Sequence, residues 1–401
     1  MFKKIQEVFR EDTKYWQLFA SVLTVSLAYG LYKGVIDNYL AEIVTMTEFD
    51  RGVAEFFREI PGLLLVFILA VFSTFSAESM FKMGGFIMVV GVALLAGLPS
   101  DRVLVTIAIF IHSTGEHIQL GMRNTLTLGY SKPGFGGEAL GIQNSLLQVG
   151  TLMGYLIIMA AFLFVSGVGA YRFFFAVAAV ILLVGAVISL RLTGRSETDK
   201  TKSRFYFRKK FMKFYFLEVF YGARKQVFFT FGPYVLILFY GASTTAISLL
   251  FAVSAICCGV ASPLVGKLID RVGYKVVMVS DTLILVVVCF FYGFAHHLFP
   301  KDVAFLVCCV NYILDSVISL ASMASNVYVQ DISDSPEEVR ATISTGISVN
   351  HLITILIALF GGWIWKVLGV ETLFTLSAVL GLCNSAYAAS IKTGPKGACA
   401  K

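Results

Sequence analysis

About twelve times along its 401 residues the chain runs apolar for some twenty residues at a stretch. At 1.5 Å per residue, a run of that length is what a helix needs to cross a hydrocarbon layer roughly 30 Å thick. The runs fall near 16–42, 51–75, 83–99, 102–126, 138–166, 171–193, 212–240, 244–266, 275–296, 303–328, 341–365 and 370–391. They do not alternate apolar with polar residues, which favours helices over a barrel. Composition agrees: 57% of residues are hydrophobic and 14% charged, against about 25% charged in a soluble domain. A chain of this length folding in water could not hide that much apolar surface, so a polytopic all-α membrane protein is expected.

The net charge of +7 would suggest nucleic acid for a soluble protein, but here its distribution matters more. With the N-terminus inside, the cytoplasmic segments hold most of the bases: Lys3, Lys4, Arg10, Lys14, Lys82, Lys132, Lys267, Arg271, Lys275, Lys392, Lys396 and Lys401. The middle loop adds Arg195, Lys200, Lys202, Arg204, Arg208, Lys209, Lys210 and Lys213. The outer segments offer Arg51, Arg102, Arg172, Lys301 and Lys366, with Arg58 just inside the outer face. This asymmetry places both termini in the cytoplasm and predicts a multi-pass protein of the plasma (inner) membrane. Anionic lipid accounts for the basic loops, and no nucleic-acid partner is expected. The N-terminal MFKKIQEVFREDTKYW is too charged for a cleavable signal, so the first span reads as an uncleaved anchor. Of seven cysteines, all but Cys399 fall in apolar spans, and none has metal-ligand spacing to a His. They read as packing residues, and neither a metal nor a cofactor is expected.

The segment 194–212 is polar and without apolar period, as a cytoplasmic linker between two halves (1–193 and 213–401) would be. The halves compare with one another. Tyr29–Val35 matches Tyr221–Val227 at an offset of 192, and the same offset carries Glu78 onto Asp270. Lys82 maps to Lys275, one residue further on, and Gly141-Ile142 corresponds to Gly346-Ile347 at a shifted offset. Between the eighth and ninth runs lies GKLIDRVGYK, Gly266–Lys275. A tight basic turn needs small residues, here Gly266 and Gly273, and a carboxylate able to cap or pair, here Asp270 beside Arg271.

This G-x-x-x-D-R-x-G-x-K pattern resembles the loop motif that the major facilitator superfamily of secondary transporters carries between helices 2 and 3 and between helices 8 and 9. FSAESMFKMGG, Phe75–Gly85, reads as a worn first copy of it. Tyr171–Phe175 resembles the start of that family's sixth span. Gly141, Gly150 and Gly154 keep the glycine spacing of the fifth-span motif of drug/proton antiporters, although Tyr155 stands where that motif has proline. The resemblance covers the whole chain. It implies twelve transmembrane helices in two six-helix pseudo-symmetric halves, a monomer, and a gate formed by Gly266, Asp270, Arg271, Gly273 and Lys275. It also implies that spans 1, 4, 7 and 10 line the cavity.

Ionisable residues at membrane depth are costly and mark function. They gather in spans 1, 4, 7 and 10, with a cluster of Glu55, Arg58 and Glu59 before Pro61 in span 2, read as an outer gate or local salt bridge. Span 1 carries Lys33 and Asp37, four apart on one face: either a self-neutralising pair or cavity residues. In span 4, His112, Glu116, Gln119 and Arg123 fall on one helical stripe, with His117 adjoining. A carboxylate beside an imidazole suits proton handling, so Glu116, His117 and Asp315 are the candidate proton carriers. In span 7, Arg224 and Lys225 point different ways; Arg224 suits an anionic substrate, or else serves as counter-ion to Glu116 or Asp315. In span 10, Asn311, Asp315, Ser319, Ser322 and Asn326 share one face of a continuous helix. Candidate substrate ligands are thus Lys33, Asp37, Glu116, Arg224, Asn311 and Asp315. Along their helices Glu116 and Asp315 lie roughly 20 Å from the outer end, and Arg224 on the order of 16 Å from the inner one, all near mid-bilayer.

The function expected is alternating-access transport of a small polar or charged organic molecule, with proton-coupled export by antiport ahead of uptake by proton symport. A membrane-embedded enzyme is disfavoured: His112, Glu116 and His117 read HxxxEH, and the extra residue turns the first His about 100° from a zinc-protease arrangement. A receptor or channel is disfavoured by the want of an outer domain or filter repeat, and no GxxxxGK[ST] loop is present to bind ATP.

Overall fold

The computed structural model describes residues 2–71, 75–133, 135–192 and 207–391. Residues 194–206 of the expected linker, and Lys392, Lys396, Cys399 and Lys401, lie outside these. The described chain is helical: α1 Phe2–Val8, α2 Tyr15–Asn38, α3 Glu48–Val71, α4 Ala77–Gly97, α5 Arg102–Tyr130, α6 Gly136–Ala161, α7 Gly167–Ser189, α8 Met212–Tyr240, α9 Thr244–Val272, α10 Tyr274–Leu298, α11 Lys301–Ile318, α12 Met323–Ile332, α13 Pro336–Leu368 and α14 Val370–Ala389. Taking α11 and α12 as one broken span, α2 to α14 supply the twelve expected spans. Ten spans among the described residues are long and apolar enough to cross a membrane. The other two are α3 and α8, which interrupt their apolar runs with charge (Glu55, Arg58 and Glu59; Arg224 and Lys225).

Two compact units emerge, each with its own core. The first comprises Met1–Thr45, Phe57–Lys202 and Ser243–Ala252; the second comprises Met46–Phe56, Ser203–Ala242 and Val253–Lys401. They differ from a plain cut at the linker in exchanging two short stretches, 46–56 and 243–252.

Within the first unit, backbones approach where side chains are smallest. A Cβ on Gly91 would stand 2.6 Å from His112 Cα, and one on Gly84 would stand 2.8 Å from the Gly115 carbonyl oxygen, so α4 and α5 meet with backbone against backbone. In a bilayer, where apolar side chains gain nothing by leaving lipid, such contacts carry helix association. The antiporter-like glycines do the same for α6 on α2: a Cβ on Gly154 would meet Gly30 Cα at 2.6 Å, and one on Gly150 would strike Ser26. Gly141 faces open space and takes no part.

No apolar run or period announces α1. It is seven residues long and is fastened to the far end of α5. The Arg10 N–H donates to the Tyr130 carbonyl at 3.0 Å, the Lys132 N–H to Val8 at 2.9 Å, and Lys132 Nζ to Gln6 at 2.9 Å. Ile5, Val8 and Phe9 are buried in one cluster with Leu18, Phe81, Leu126 and Tyr130.

Among the described residues, two spans depart from a continuous α-helix. Span 1 ends in a π-turn, Tyr39–Ile43, in which Asn38 Nδ2 donates to Glu42 Oε1 at 2.8 Å and Tyr171 Oη donates to Glu42 Oε2 at 2.7 Å. Span 10 is interrupted by a 3₁₀ segment, Ser319–Ser322, directly after α11. At three residues per turn this segment rotates α12 relative to α11, so the five-residue polar stripe does not hold. Asn311 and Asp315 stay buried on α11, Asn326 turns outward, and Ser325 takes the buried place on α12.

Candidate functional site

In the first unit, α2, α4, α5 and α6 line an open-sided cavity of about 200 Å³. Polar atoms reach it from Ser26 and Tyr29 on α2, Glu116, Gln119 and Arg123 on α5, and Thr151 on α6; Val25, Met88, Leu120 and Leu147 supply the apolar wall. Gln119 is oriented by its Nε2 donating to the Phe81 carbonyl at 3.1 Å. A carboxylate and a guanidinium seven residues apart on α5 therefore share one wall, able to meet either sign of charge.

The other members of the span 4 stripe are placed differently. His112 is buried, its ring 4.5 Å from that of Tyr32, and its Nδ1 is 4.0 Å from Glu116 Oε2, beyond hydrogen-bond reach. His117 does not join Glu116 as an acid–base pair, because consecutive helical residues point about 100° apart. Its Nδ1 donates to the Ser113 carbonyl at 2.9 Å, which fixes the proton on that nitrogen. A ring nitrogen of His117 lies within 4.8 Å of a Glu59 carboxylate oxygen. Glu59 is also ion-paired with Arg58, whose carbonyl accepts from Ser113 Oγ.

On α2, Lys33 Nζ is 2.7 Å from Asp37 Oδ2, with both side chains buried and the ammonium 5.3 Å over the Phe251 ring. Of the two arrangements open to this pair in sequence, the structure has the self-neutralising one.

The second unit has its own buried charges. Arg224 Nη1 lies 2.8 Å from Asp281 Oδ2, both nearly inaccessible, with the guanidinium stacked 4.7 Å over Tyr221. The direct ion-pair partner of Arg224 is thus Asp281, which the sequence did not name, while Asp315 lies within electrostatic reach of it. Asp281, on α10, escaped notice because it stands alone in an apolar run, 57 positions from its partner. Asp315 Oδ1 is buried without a hydrogen bond, within electrostatic reach of Arg224 and Lys225. Asn311 Nδ2 is spent on the Val307 carbonyl at 2.7 Å. Lys225 is exposed. The span 2 cluster also divides. Glu55 takes Arg51 at 2.8 Å and Gln226 Nε2 at 2.9 Å, so Arg51, expected in an outer loop, is a buried helical residue.

Only one of the two expected turn glycines lies in the turn. Gly273 takes φ +86°, a conformation other residues rarely adopt, and starts α10. Gly266 lies inside α9. Lys275 Nζ is held by the Ile391 carbonyl at 2.9 Å. Asp270 and Arg271 are exposed, and neither has an ion-pair partner among the described residues. Glu78, the repeat counterpart of Asp270, is buried, with Tyr130 Oη donating to it at 3.5 Å. The two copies of the turn have thus diverged in surroundings as well as in sequence.

Residues 214–397 match the family model described as Major Facilitator Superfamily. No curated protein matches the chain in sequence. Among solved structures, it is similar to a mutant of the nucleoside transporter NupG (TM-score 0.76, 15% identity, covering 94% of this chain and 99% of that one). It is similar to a D-xylose-proton symporter (TM-score 0.74, 13% identity, 96% and 99%). A POT family transporter in complex with 5-aminolevulinic acid is similar too (TM-score 0.75, 10% identity, 95% and 96%). At these identities the likeness is one of fold, and it spans nearly the full length of each chain. Residues 214–397, which include the basic turn before α10, thus match the Major Facilitator Superfamily, and the chain as a whole shares the fold of these membrane transporters.

Proposed function

We propose that this transporter carries a small polar or charged organic molecule by alternating access, coupled to protons, with Glu116 as the principal coupling group. The observation that carries the reading is the cavity in which Glu116, Gln119 and Arg123 stand together. A carboxylate that can bind either a proton or a cationic group, on the same wall as a guanidinium that can bind an anion, lets protonation and substrate compete or cooperate at one place. Asp315, buried and without a hydrogen bond, is the second proton carrier, and His117 tunes Glu59 rather than Glu116. Lys33–Asp37 and Arg224–Asp281 keep their charges internally balanced, and Asn311 borders Asp315 one helical turn away. Each is a candidate substrate ligand within its own unit, to be engaged by displacing an existing partner.

Export by antiport is the proposed direction. It is supported by the antiporter-like spacing of Gly150 and Gly154, which sets the packing of α6 on α2 beside the cavity. Uptake by symport is the second reading, favoured by the likeness to a D-xylose-proton symporter. The protein sits in the plasma (inner) membrane as a monomer with both termini cytoplasmic. The test is a proteoliposome assay with an entrapped pH dye and a panel of organic anions, cations and sugars. A compound that drives proton movement is the expected result, and its sign separates antiport from symport. Saturable uptake with no proton movement would remove coupling from the proposal.

Asp270 is assigned to gating. A carboxylate in the last turn of α9 faces the negative end of the helix dipole and gains no ion pair among the described residues, so stability does not explain it. Asp270→Asn is expected to slow transport by about tenfold or more while substrate affinity stays within about twofold, as read by transport rate against equilibrium binding. An unchanged rate would end the gating assignment.

A further inference from the structure

The geometry points to a binding site for a divalent transition-metal ion, of the Zn²⁺, Ni²⁺ or Cu²⁺ kind, formed by His296, His297 and Glu371 in the second unit. The sequence assigned no metal here, because two adjacent histidines 74 residues from their carboxylate show no ligand spacing. The fold closes that gap. α10 ends just after the histidines, and α14 begins one residue before the glutamate.

One carboxylate oxygen takes both rings. Glu371 Oε1 is 3.1 Å from His296 Nε2 and 2.7 Å from His297 Nε2, and the two ring centroids are 3.9 Å apart. The three ligand atoms lie within 4.8 Å of one another. An ion pair alone accounts for one ring; the second can donate to the same oxygen only as a neutral imidazole. One carboxylate balances one imidazolium, and a second imidazolium stacked at that distance would repel the first. Two neutral imidazoles and a carboxylate around a dication, by contrast, use every group. Zinc takes nitrogen at about 2.0–2.1 Å and oxygen at about 2.0–2.2 Å, so tetrahedral ligands stand roughly 3.3 Å from each other. The observed N···O separations are a few tenths of an ångström shorter, so a metal would need only a slight spreading of side chains already converged.

The surroundings fit. The edge-on ring of Phe239, 5.1 Å from that of His296, fixes the imidazole plane. Gly369 has φ +91°, and a Cβ there would stand 2.6 Å from Glu371 Oε2, so the carboxylate folds back over a position only glycine leaves open. His297 is more than half exposed, which gives a metal a path from water and leaves a fourth coordination position for solvent. Imidazole nitrogen with one carboxylate selects a borderline transition ion over Mg²⁺ or Ca²⁺, which prefer all-oxygen sets. On the proposed topology the site faces the outside. Metal binding itself does not depend on that topology or on the transport function, and its test uses neither substrate nor sidedness.

The test is calorimetric titration of ZnCl₂ into the purified full chain in detergent, with any affinity tag removed. The expected result is one equivalent bound in the micromolar range, weakened about tenfold or more by His297→Ala and by Glu371→Gln. His112, His117 and His351 stay in both variants, so binding elsewhere would persist and be seen. A second readout uses Trp365, whose ring is 6.0 Å from that of Phe239. Cu²⁺ should quench tryptophan emission in the native chain, less in Trp365→Phe, and less in His297→Ala. Zinc binding of undiminished affinity in the His297→Ala and Glu371→Gln chains, or none in the native chain at about 1 mM metal, would overturn the site. Matching thermal melts for native and variant chains without metal guard against a loss that only reports misfolding.

Discussion

Arg224→Met is expected to destabilise the transporter by about 3–5 kcal/mol, the cost of leaving one half of a buried ion pair without the other. The stranded group would be Asp281, 4% exposed on its side chain and otherwise bonded only to its neighbour Thr282 at 3.2 Å. A lone carboxylate at such a place can discharge itself by taking a proton. For a carboxyl group of ordinary pKa near 3.9, holding that proton at pH 7 costs about 4 kcal/mol, which bounds the loss. The deficit relative to the native chain should therefore shrink as pH falls, because the protonated form becomes cheaper. In detergent melts this corresponds to a fall of about 4–6 °C at pH 7. The double variant Arg224→Met with Asp281→Leu should recover most of it, since apolar replacement of both partners removes the unpaired charge. A double variant no more stable than the single one would show that Arg224 acts through packing on Tyr221 rather than through charge.

Glu116→Gln should reduce proton-coupled accumulation about 100-fold, the scale on which a positioned proton carrier contributes. The replacement keeps the shape of the side chain and its place in the cavity beside Gln119 and Arg123. Substrate exchange that needs no net proton movement should therefore continue. Counterflow of a labelled substrate measured beside dye-reported proton flux separates the two. If proton flux survives in Glu116→Gln and is lost in Asp315→Asn, the coupling belongs to the second unit. If counterflow is lost as well, Glu116 is a substrate ligand first.

The fold was open to sequence reasoning because each span announces itself locally. Twenty apolar residues in a row have few alternatives, and the polar breaks at Ser76, Asp101 and Ser335 mark helix starts, where each side chain accepts a backbone N–H of the first turn. The stripe of Glu116, Gln119 and Arg123 comes from helical period alone. What the period cannot supply is the partner on another helix. Nothing near Arg224 names Asp281, and nothing near His297 names Glu371. Nor does it register a change of helix type. The Ser319–Ser322 segment looks like the rest of span 10 in composition, yet its tighter winding turns Asn326 away from the face that Asp315 occupies. The adjacency of Glu116 and His117 misled for the opposite reason, because neighbours in sequence are not neighbours on a helical surface.

The fastening of α1 to the end of α5 has a consequence for biosynthesis. Arg10 and the residue that accepts its Nε bond, Ser131, are 121 positions apart. At about 5–20 residues per second, the ribosome leaves roughly 6–24 s between them. Through that interval Ile5, Val8 and Phe9 have no α5 end to cover them, although four spans are entering the bilayer meanwhile. The short stretch cannot take up its buried place until the fourth span delivers Tyr130 and Lys132. Order of emergence and order of settling are therefore reversed for this segment, and a nascent chain stalled before residue 130 would present it to lipid or to a chaperone rather than to its own protein.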